Sequence, residues 1–339
     1  MKAIVFLAKN KISYQEIKTP LLEKEQVLIA VRASGLCHTD LEVLQGNYGS
    51  SAFPLVPGHE YAGTVEQIGD EVTKFKVGDN VVVDPNIECG YCLSCQNNNA
   101  HLCETLGAYG VTVNGGFARY SLVHQNALHD IGDLPFHIAA LAEPLGCALN
   151  GVGAINAGTS NNALIFGAGP MGLLFALAAK DKGAKKITFV DVNPDRLTLA
   201  ESRGFSVVYS SDENLENLYK KFDLVVDATG LIKVAEKLIK FVCDGGKIMH
   251  LGVCPSDAKM EISPFEIFRR QLTIAGSHSL NHDNIIEALA TIQNCIPELE
   301  KIVTHKLNAE DIATYMQDGV PKDSLKIQEM SKIAIAIYL

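Results

Sequence analysis

The chain has 339 residues, of which 47% are hydrophobic, so it is long enough for two domains with buried cores. Its 29 basic and 39 acidic residues give a formal net charge of −10, and no run of Lys or Arg exceeds two, which disfavours binding to nucleic acid. We find no apolar stretch of the ~18–20 residues that a membrane span needs and no signal-peptide pattern, so we predict a cytoplasmic protein without membrane contact.

Residues 1–150 alternate apolar and polar side chains at the two-residue period of β-strands, and Gly, Pro and Asn mark the turns between them. The segments with this pattern are 1–8, 27–31, 63–69, 79–83 and 115–123. Helical periodicity is scarce in this part of the chain. The pattern therefore predicts an antiparallel, barrel-like β domain with long loops.

Four cysteines of this domain fall within fifteen residues at the spacing C-x2-C-x2-C-x7-C; they are Cys89, Cys92, Cys95 and Cys103. Four thiolates at this spacing can surround one tetrahedral Zn²⁺. The segment around them, about 86–106, is rich in turn formers and poor in apolar residues, so we expect bound metal to supply its order. A disulfide pair or unrelated thiols is the alternative, and nine cysteines without a secretion signal disfavour it. We predict a structural zinc lobe.

Near residue 150 the pattern changes to continuous apolar runs that alternate with helical segments. The apolar runs are 163–166, 187–190, 224–227, 247–251 and 272–275, and the helices end near 182 and 202. Such alternation is typical of a parallel sheet covered by helices on both faces, so we predict a nucleotide-binding domain over about 151–280. Residues 281–339 add a helix at about 284–293 and a strand-like run at 332–338, which we expect to join the sheet of the first domain.

A glycine-rich motif directly follows the first apolar run and opens a helix; it reads Gly167-Ala168-Gly169-Pro170-Met171-Gly172. In this context Gly167 makes a tight turn, Gly169 lets the backbone approach a pyrophosphate, and Gly172 lets the helix pack on the strand. Asp191 lies 19 residues further on, at the end of the second strand. A carboxylate there binds ribose hydroxyls and repels a 2′-phosphate, which favours NAD over NADP. The alternative is a structural turn with a solvated aspartate.

A second candidate metal site consists of Cys37, His59 and a carboxylate. These are ligand types that a catalytic zinc uses while it keeps one position open. Taken singly, each residue is weak evidence, because Cys37 could be a core thiol and His59 a core histidine.

Six motifs in this order resemble the zinc-dependent medium-chain dehydrogenases over essentially the whole chain, and most closely their polyol, sorbitol-dehydrogenase-like branch. The motifs are GLCHTDLEVLQG (35–46), PLVPGHEYAGTVEQIG (54–69), VGDNVVV (77–83), the four-cysteine segment, AEPLGCALNGV (142–152) and GAGPMG. The resemblance implies an α/β fold in which a Rossmann doubly wound parallel sheet, residues 151–280, is inserted into a GroES-like, mainly antiparallel β catalytic domain, residues 1–150 with 281–339.

The resemblance implies that Cys37 and His59 bind a catalytic zinc, so that each chain carries two Zn²⁺. The third ligand is either Glu60 or Glu143, and the other glutamate then holds or exchanges with the zinc-bound water. Cys147, four residues beyond Glu143, is read as a core thiol, with a role as substitute ligand left open.

Around these ligands, the resemblance implies that Thr39 accepts the proton of the substrate hydroxyl. Glu42 stands where the family often has the histidine that ends the proton relay, and it either replaces that histidine or is only solvated. His38 is expected to contact the cofactor diphosphate. Arg196 either binds the adenosine or is a surface arginine.

We therefore predict an NAD-dependent zinc oxidoreductase that oxidises a polyol or similar secondary alcohol to a ketose or ketone. Ser279 and Leu280 stand where polyol enzymes usually have an Arg-Tyr pair that binds substrate hydroxyls, so the substrate itself is open. A threonine or simple alcohol dehydrogenase is the alternative, followed by a catalytically silent NAD-binding relative. The resemblance also implies a homo-oligomer, a dimer or tetramer.

Overall fold

The computed structural model describes residues 1–48, 52–318 and 326–330. The strands in this part are, in chain order, β1 (Lys2–Ala8), β2 (Lys11–Glu16), β3 (Gln26–Leu36), β4 (Glu60–Ile68), β5 (Asn80–Val83), β6 (Asn86–Ile87), β7 (Gly107–Ala108), β8 (Tyr120–His124), β9 (Leu128–Asp130), β10 (Asn162–Phe166), β11 (Lys186–Asp191), β12 (Ser206–Tyr209), β13 (Phe222–Asp227), β14 (Val242–His250), β15 (Thr273–Gly276), β16 (Val303–Leu307) and β17 (Lys326–Met330).

The α-helices of the same part are α1 (His38–Leu44), α2 (Leu93–Gln96), α3 (Phe136–Ala139), α4 (Ala142–Ile155), α5 (Pro170–Asp181), α6 (Pro194–Glu201), α7 (Asp212–Glu216), α8 (Ile232–Ala235), α9 (Pro264–Arg270), α10 (His282–Glu300) and α11 (Ala309–Asp318). The strand expected at 332–338 lies outside the described residues. The chain divides into two compact units, one formed by 1–143 with 281–339 and the other by 144–280.

The first unit contains a seven-stranded sheet of order β16-β17-β3-β4-β5-β9, in which β8 also pairs with β3. The long strand β3 runs antiparallel to β4, β8 and β17. Its alternate residues Val27, Ile29 and Val31 are buried in one core cluster with Tyr61 and Val65 of β4. The β-strand alternation places these side chains on one face of β3 and β4, and the opposite face of β3 is buried as well, as Leu28 and Ala30 show.

The second unit contains a six-stranded sheet of order β12-β11-β10-β13-β14-β15, and every neighbouring pair is parallel. The strand order reverses at β10, whose neighbours are β11 and β13. In doubly wound folds this reversal opens a crevice at the carboxyl ends of the strands, where ligands bind. The predicted class, a Rossmann parallel sheet with a mainly antiparallel GroES-like domain, is confirmed.

Helix α4 is the main element that the sequence analysis missed. Together with α3 it forms an apolar stretch, Phe136–Ile155, that is long and apolar enough to span a membrane, and 78% of its most apolar window is buried within the protein. The expectation that no apolar stretch reaches this length was wrong, because α4 runs through Gly151 and Gly153 without a break. Burial of this extent is typical of a core helix in a globular fold.

Candidate active site and metal centres

Antiparallel pairing of β3 and β4 brings Cys37, His59 and Glu60 together. Gly35 of β3 lies opposite Glu60 of β4, so the end of one strand and the start of the other are neighbours. One ligand atom from each of the three side chains lies within 4.8 Å of the other two. His59 and Glu60 are buried, with 6% and 1% of their surface exposed. A Cβ at Gly35 would overlap Oε2 of Glu60, so glycine is needed for the carboxylate to occupy this position.

Asp40 is a further residue of this site, and it was not among the predicted site residues. It is completely buried. Its Oδ2 accepts a hydrogen bond from the backbone N–H of Cys37 at 2.8 Å, and its Oδ1 accepts one from Gly58 at 3.2 Å. The same Oδ1 lies 3.4 Å from Nδ1 of His59. A carboxylate at one ring nitrogen orients the imidazole and leaves the other nitrogen for a metal ion.

Burial alone would lower the pKa of His59, but the Asp40 carboxylate and the Cys37 thiol together hold this pKa well above its usual value. The site therefore favours positive charge at His59, which is the charge that a cation would supply. A sequence signal for Asp40 did exist. It is the third residue of α1, where its side chain caps the helix by accepting from the N–H of Cys37.

Glu143 and Cys147 take a different position. Glu143 lies in the first turn of α4 and is 7% exposed. Among the described residues, the group of metal-type ligands at Cys37 contains Glu60 but neither Glu143 nor Cys147. Of the two glutamates that the sequence left open, Glu60 is therefore the one that stands beside Cys37 and His59.

Helix α1 presents the remaining candidates, and they differ in exposure. Thr39 is partly buried, whereas the side chain of His38 is 75% exposed. Glu42 is 34% exposed; its Oε1 lies 3.3 Å from Nε2 of His38, and its Oε2 accepts a hydrogen bond from Nδ2 of Asn47 at 3.0 Å. Glu42 is thus held by two polar neighbours at the solvent side of the helix.

The four cysteines of the predicted lobe converge, with all four sulfurs within 4.8 Å of one another. The Sγ–Sγ distances are 3.5 Å for Cys92–Cys95 and 4.0 Å for Cys89–Cys95. A tetrahedral zinc site with Zn–S bonds of about 2.3 Å has sulfur–sulfur edges of about 3.8 Å, so the spacing fits. All nine cysteines are free thiols, which excludes the disulfide alternative in this structure.

Backbone N–H groups point at these sulfurs and favour their thiolate form. The sulfur of Cys103 accepts hydrogen bonds from the N–H of Cys89 at 3.3 Å and of Thr105 at 3.4 Å. These bonds lower the pKa of the Cys103 thiol to about 6. A thiolate is the form that binds metal, so the loop prepares a ligand from its own backbone.

The dinucleotide motif follows β10 and opens α5, which begins at Pro170. Gly167 has a φ of +100°, a value that side chains rarely tolerate, and a Cβ at Gly172 would overlap the carbonyl oxygen of Gly167. A Cβ at Gly169 would approach only Nη1 of Arg196, at 3.7 Å. The space over Gly169 is therefore open, as the approach of a pyrophosphate to the helix N-terminus requires.

Asp191 and Arg196 flank this motif. Asp191 ends β11, and its carboxylate accepts hydrogen bonds from the N–H of Ala168 at 2.7 Å and of Asn193 at 2.8 Å. These two bonds fix the carboxylate beside the glycine-rich turn. Arg196 of α6 lies next to Gly169 and is therefore part of the same loop cluster. The reading of Asp191 as a merely solvated residue does not fit, since it is 9% exposed.

The positions connected with substrate choice are less polar than in the pattern of polyol enzymes. Leu280 is completely buried, and Ser279 has a φ of +56°. Nδ2 of Asn150 donates a hydrogen bond to the carbonyl oxygen of Ser279 at 3.0 Å. Two aromatic residues, Tyr48 and Phe117, are further candidates to line a substrate pocket. Phe117 is completely buried in one core cluster of the first unit, whereas Tyr48 is 38% exposed. Leu280 and Phe117 are therefore core residues.

Comparison with known proteins identifies the family of the chain. Residues 23–133 match the family described as the alcohol dehydrogenase GroES-like domain, and residues 170–294 match the zinc-binding dehydrogenase family. The chain is 47% identical to D-altritol 5-dehydrogenase of Agrobacterium fabrum strain C58, over 97% of this chain and 99% of that protein. It is 31% identical to an L-threonine 3-dehydrogenase of Chelativorans sp. strain BNC1, over 92% of this chain and 93% of that protein.

A solved structure with the same fold is that of 2R,3R-butanediol dehydrogenase from Bacillus subtilis. The two structures superpose with a TM-score of 0.89 at 26% identity, over 98% of this chain and 99% of the other. The two family models match the chain in the order that the sequence analysis predicts, and the alignment with D-altritol 5-dehydrogenase covers 97% of this chain. The chain therefore belongs to the zinc-dependent medium-chain alcohol dehydrogenase family, in its polyol branch.

Proposed function

We propose that this protein is an NAD-dependent zinc enzyme that oxidises a polyol of hexitol size, or a similar secondary alcohol, to a ketose or ketone. The observation that carries the proposal is the convergence of the partly buried Cys37 with the buried His59 and Glu60. It is supported by the 47% identity to a D-altritol 5-dehydrogenase, which exceeds the identity to the threonine enzyme.

The catalytic metal in this proposal is held by Cys37, His59 and Glu60. A thiolate, an imidazole and a carboxylate form a donor set that suits Zn²⁺ and leaves a position for substrate. Zinc bound there supplies Lewis-acid chemistry that lowers the pKa of an alcohol hydroxyl. Asp40 keeps the ring of His59 in the orientation for binding. Thr39, two residues after Cys37, relays the hydroxyl proton: its Oγ1 accepts that proton while its own hydroxyl proton moves on towards solvent.

The cofactor in this proposal is NAD, which accepts the hydride from the carbinol carbon. The N-terminus of α5 faces the diphosphate, because the N–H groups of its first turn, those of Met171 and Gly172, attract anions. Pro170 has no N–H and starts the helix, and Gly169 leaves space for the phosphate. Asp191 accepts hydrogen bonds from the ribose hydroxyls. Arg196, whose Nη1 lies beside Gly169, binds the adenosine. The contact of His38 with the diphosphate remains a prediction.

The four-cysteine lobe, in this proposal, binds a second zinc ion that is structural. Four sulfur ligands complete a tetrahedral shell and leave no position for substrate.

We further propose that the catalytic domain comprises 1–150 with 281–339, that the chain forms a dimer or tetramer, and that the enzyme works in the cytoplasm. Light scattering during size-exclusion chromatography tests the assembly, and cell fractionation tests the location.

The decisive experiment follows NADH formation by its near-ultraviolet absorbance, with zinc-replete protein and either NAD or NADP. The panel contains hexitols including D-altritol, pentitols, 2,3-butanediol, L-threonine and simple secondary alcohols. We expect turnover with NAD and a polyol. Turnover with L-threonine alone would favour the threonine dehydrogenase alternative. Bound zinc and NAD without turnover on any substrate would favour the silent relative.

A further inference from the structure

A third group of metal-type side chains lies in the first unit, outside both proposed zinc sites. It consists of Asp84, His129 and His282, and one ligand atom of each lies within 4.8 Å of the other two. Asp84 follows β5, His129 is the middle residue of β9, and His282 begins α10. His129 lies opposite Val82 of β5 in the antiparallel register, which places it beside the end of the strand that leads to Asp84.

Asp84 is oriented by its own backbone surroundings. Only 5% of it is exposed, and its Oδ1 accepts a hydrogen bond from the N–H of Asn86 at 3.1 Å. Its other oxygen, Oδ2, lies 3.4 Å from Nδ1 of His282. A tetrahedral site with Zn–N and Zn–O bonds of 2.0–2.1 Å has ligand–ligand edges of about 3.3 Å. The separation between Asp84 and His282 therefore matches the edge of such a site.

His129 completes the group and has an unsatisfied nitrogen. Its Nε2 is buried and has no hydrogen-bond partner among the residues that the structure describes. Its ring lies 4.9 Å from the ring of His282, measured between centroids. A buried polar atom without a partner is costly, and a bound ion is one of the few ways to compensate it. Burial and the neighbouring His282 lower the pKa of His129 to about 4, so its ring is neutral near pH 7.

The charges around the group have mixed signs. The carboxylates of Glu88 and Asp283, together with that of Asp84, raise the pKa of His282, which means that they favour a cation there. Lys74 acts in the opposite direction on His129, and its Nζ donates a hydrogen bond to Oδ1 of Asn126 at 2.7 Å. Asp84, Glu88 and Asp283 therefore favour a cation at His282, whereas Lys74 opposes one at His129.

We propose that Asp84, His129 and His282 bind a third divalent transition-metal ion per chain, Zn²⁺ above others. Two imidazoles and one carboxylate supply three ligands, and water completes the shell. The side chain of His282 is 55% exposed, which gives the ion a path from solvent. We expect the site to exchange its metal more readily than the cysteine lobe, because it offers three protein ligands, whereas the lobe offers four thiolates.

The position of the site indicates what the ion does. His282 is the second residue of the segment that returns to the first unit at Asn281. Nδ2 of Asn281 donates a hydrogen bond to the carbonyl oxygen of Asn98, in the four-cysteine lobe, at 2.7 Å. An ion at the site therefore ties the start of α10 to β5 and β9. We expect it to raise thermal stability and to leave the chemistry of turnover unchanged.

The test measures bound Zn²⁺ by mass spectrometry after equilibrium dialysis of the whole protein at increasing free Zn²⁺. The variants are His282→Ala, at an exposed position, and Asp84→Asn, which keeps the oxygen that accepts from Asn86. The matched control is His124→Ala, since His124 faces a carboxylate of Glu25 at 3.7 Å in the same unit but belongs to no such group of three.

We expect the wild-type protein and His124→Ala to bind one zinc equivalent more than His282→Ala and Asp84→Asn, at a concentration where all four remain folded by circular dichroism. The added equivalent should raise the melting temperature only where it binds. Equal binding in all four proteins, or an extra equivalent that persists in His282→Ala, would overturn the proposal. Because the result is a difference between variants with intact cysteine ligands, it does not depend on the proposed function.

Discussion

The Cys37 group and the four-cysteine lobe are both candidate zinc sites, and they are built in opposite ways. The lobe takes its four ligands from fifteen consecutive residues of loop and short helix. The Cys37 group takes its ligands from the ends of two paired strands and places Asp40 behind them. A site built locally can be closed and purely structural, whereas a site built on a buried sheet can keep one position open for substrate.

The largest expected effect comes from removing the sulfur ligand of the Cys37 group, the site that we propose to be catalytic. Cys37→Ser should reduce kcat/KM for a polyol with NAD by about 10³-fold or more, which corresponds to about 4 kcal/mol at the transition state. The physical reason is the loss of a thiolate ligand that a hydroxyl does not replace. Steady-state kinetics and a zinc count measure the change.

Cys295→Ser is the matched control for that variant. The sulfur of Cys295 donates a hydrogen bond to the carbonyl oxygen of Thr291, and a serine hydroxyl can do the same, so activity should stay near the wild-type value. Wild-type turnover in Cys37→Ser would show that this group is not the catalytic centre.

A Cys-to-Ser substitution in the four-cysteine lobe should mainly lower the stability of the protein. Cys103→Ser should release one zinc ion, make the segment 86–106 sensitive to protease, and lower the apparent melting temperature by about 5 °C. Turnover of the protein that is still folded at low temperature should remain within a few-fold of the wild-type rate. Cys243→Ser, in β14, serves as the control, and immediate loss of turnover in Cys103→Ser would contradict a purely structural role.

A smaller effect is expected from a change at Asp40, the carboxylate that contacts His59 in the Cys37 group. Asp40→Asn keeps the shape of the side chain but removes the charge beside Nδ1 of His59, so zinc affinity at this site should fall about 10- to 100-fold. Competition with a chromogenic chelator measures the affinity, and the lobe should keep its zinc. Asp70→Asn, at an exposed position, is the control. Unchanged affinity in Asp40→Asn would mean that the carboxylate only caps α1.

Sites whose residues are close in sequence could be predicted from the sequence alone, whereas sites formed by strand pairing could be predicted only in part. The lobe and the glycine-rich motif are local patterns, and the four cysteines and Gly167 occupy the expected places. The choice between Glu60 and Glu143 was left open because the resemblance allows either ligand. Glu60 lies beside Cys37 through the pairing of β3 with β4, which a single sequence does not determine.

Long-range pairing is also the reason why the group of Asp84, His129 and His282 was not predicted. Asp84 and His129 are 45 residues apart in the chain, and His282 follows 153 residues later. They come close together only because β5 pairs with β9 and α10 starts beside them. Tertiary packing, which places Leu280 in the interior, likewise has no local signal.

We expect the smallest effect on kcat from a change at Glu42, the predicted exit of the proton relay from the Cys37 group to solvent. Glu42→Gln keeps an oxygen that can accept from Asn47 but removes the charge beside His38. An exposed pair four residues apart on a helix is worth about 0.3–0.5 kcal/mol, so we expect kcat to change by no more than about twofold. If kcat instead falls by about tenfold and imidazole buffer restores it, Glu42 is the exit of the proton relay in place of the histidine that the family often has there.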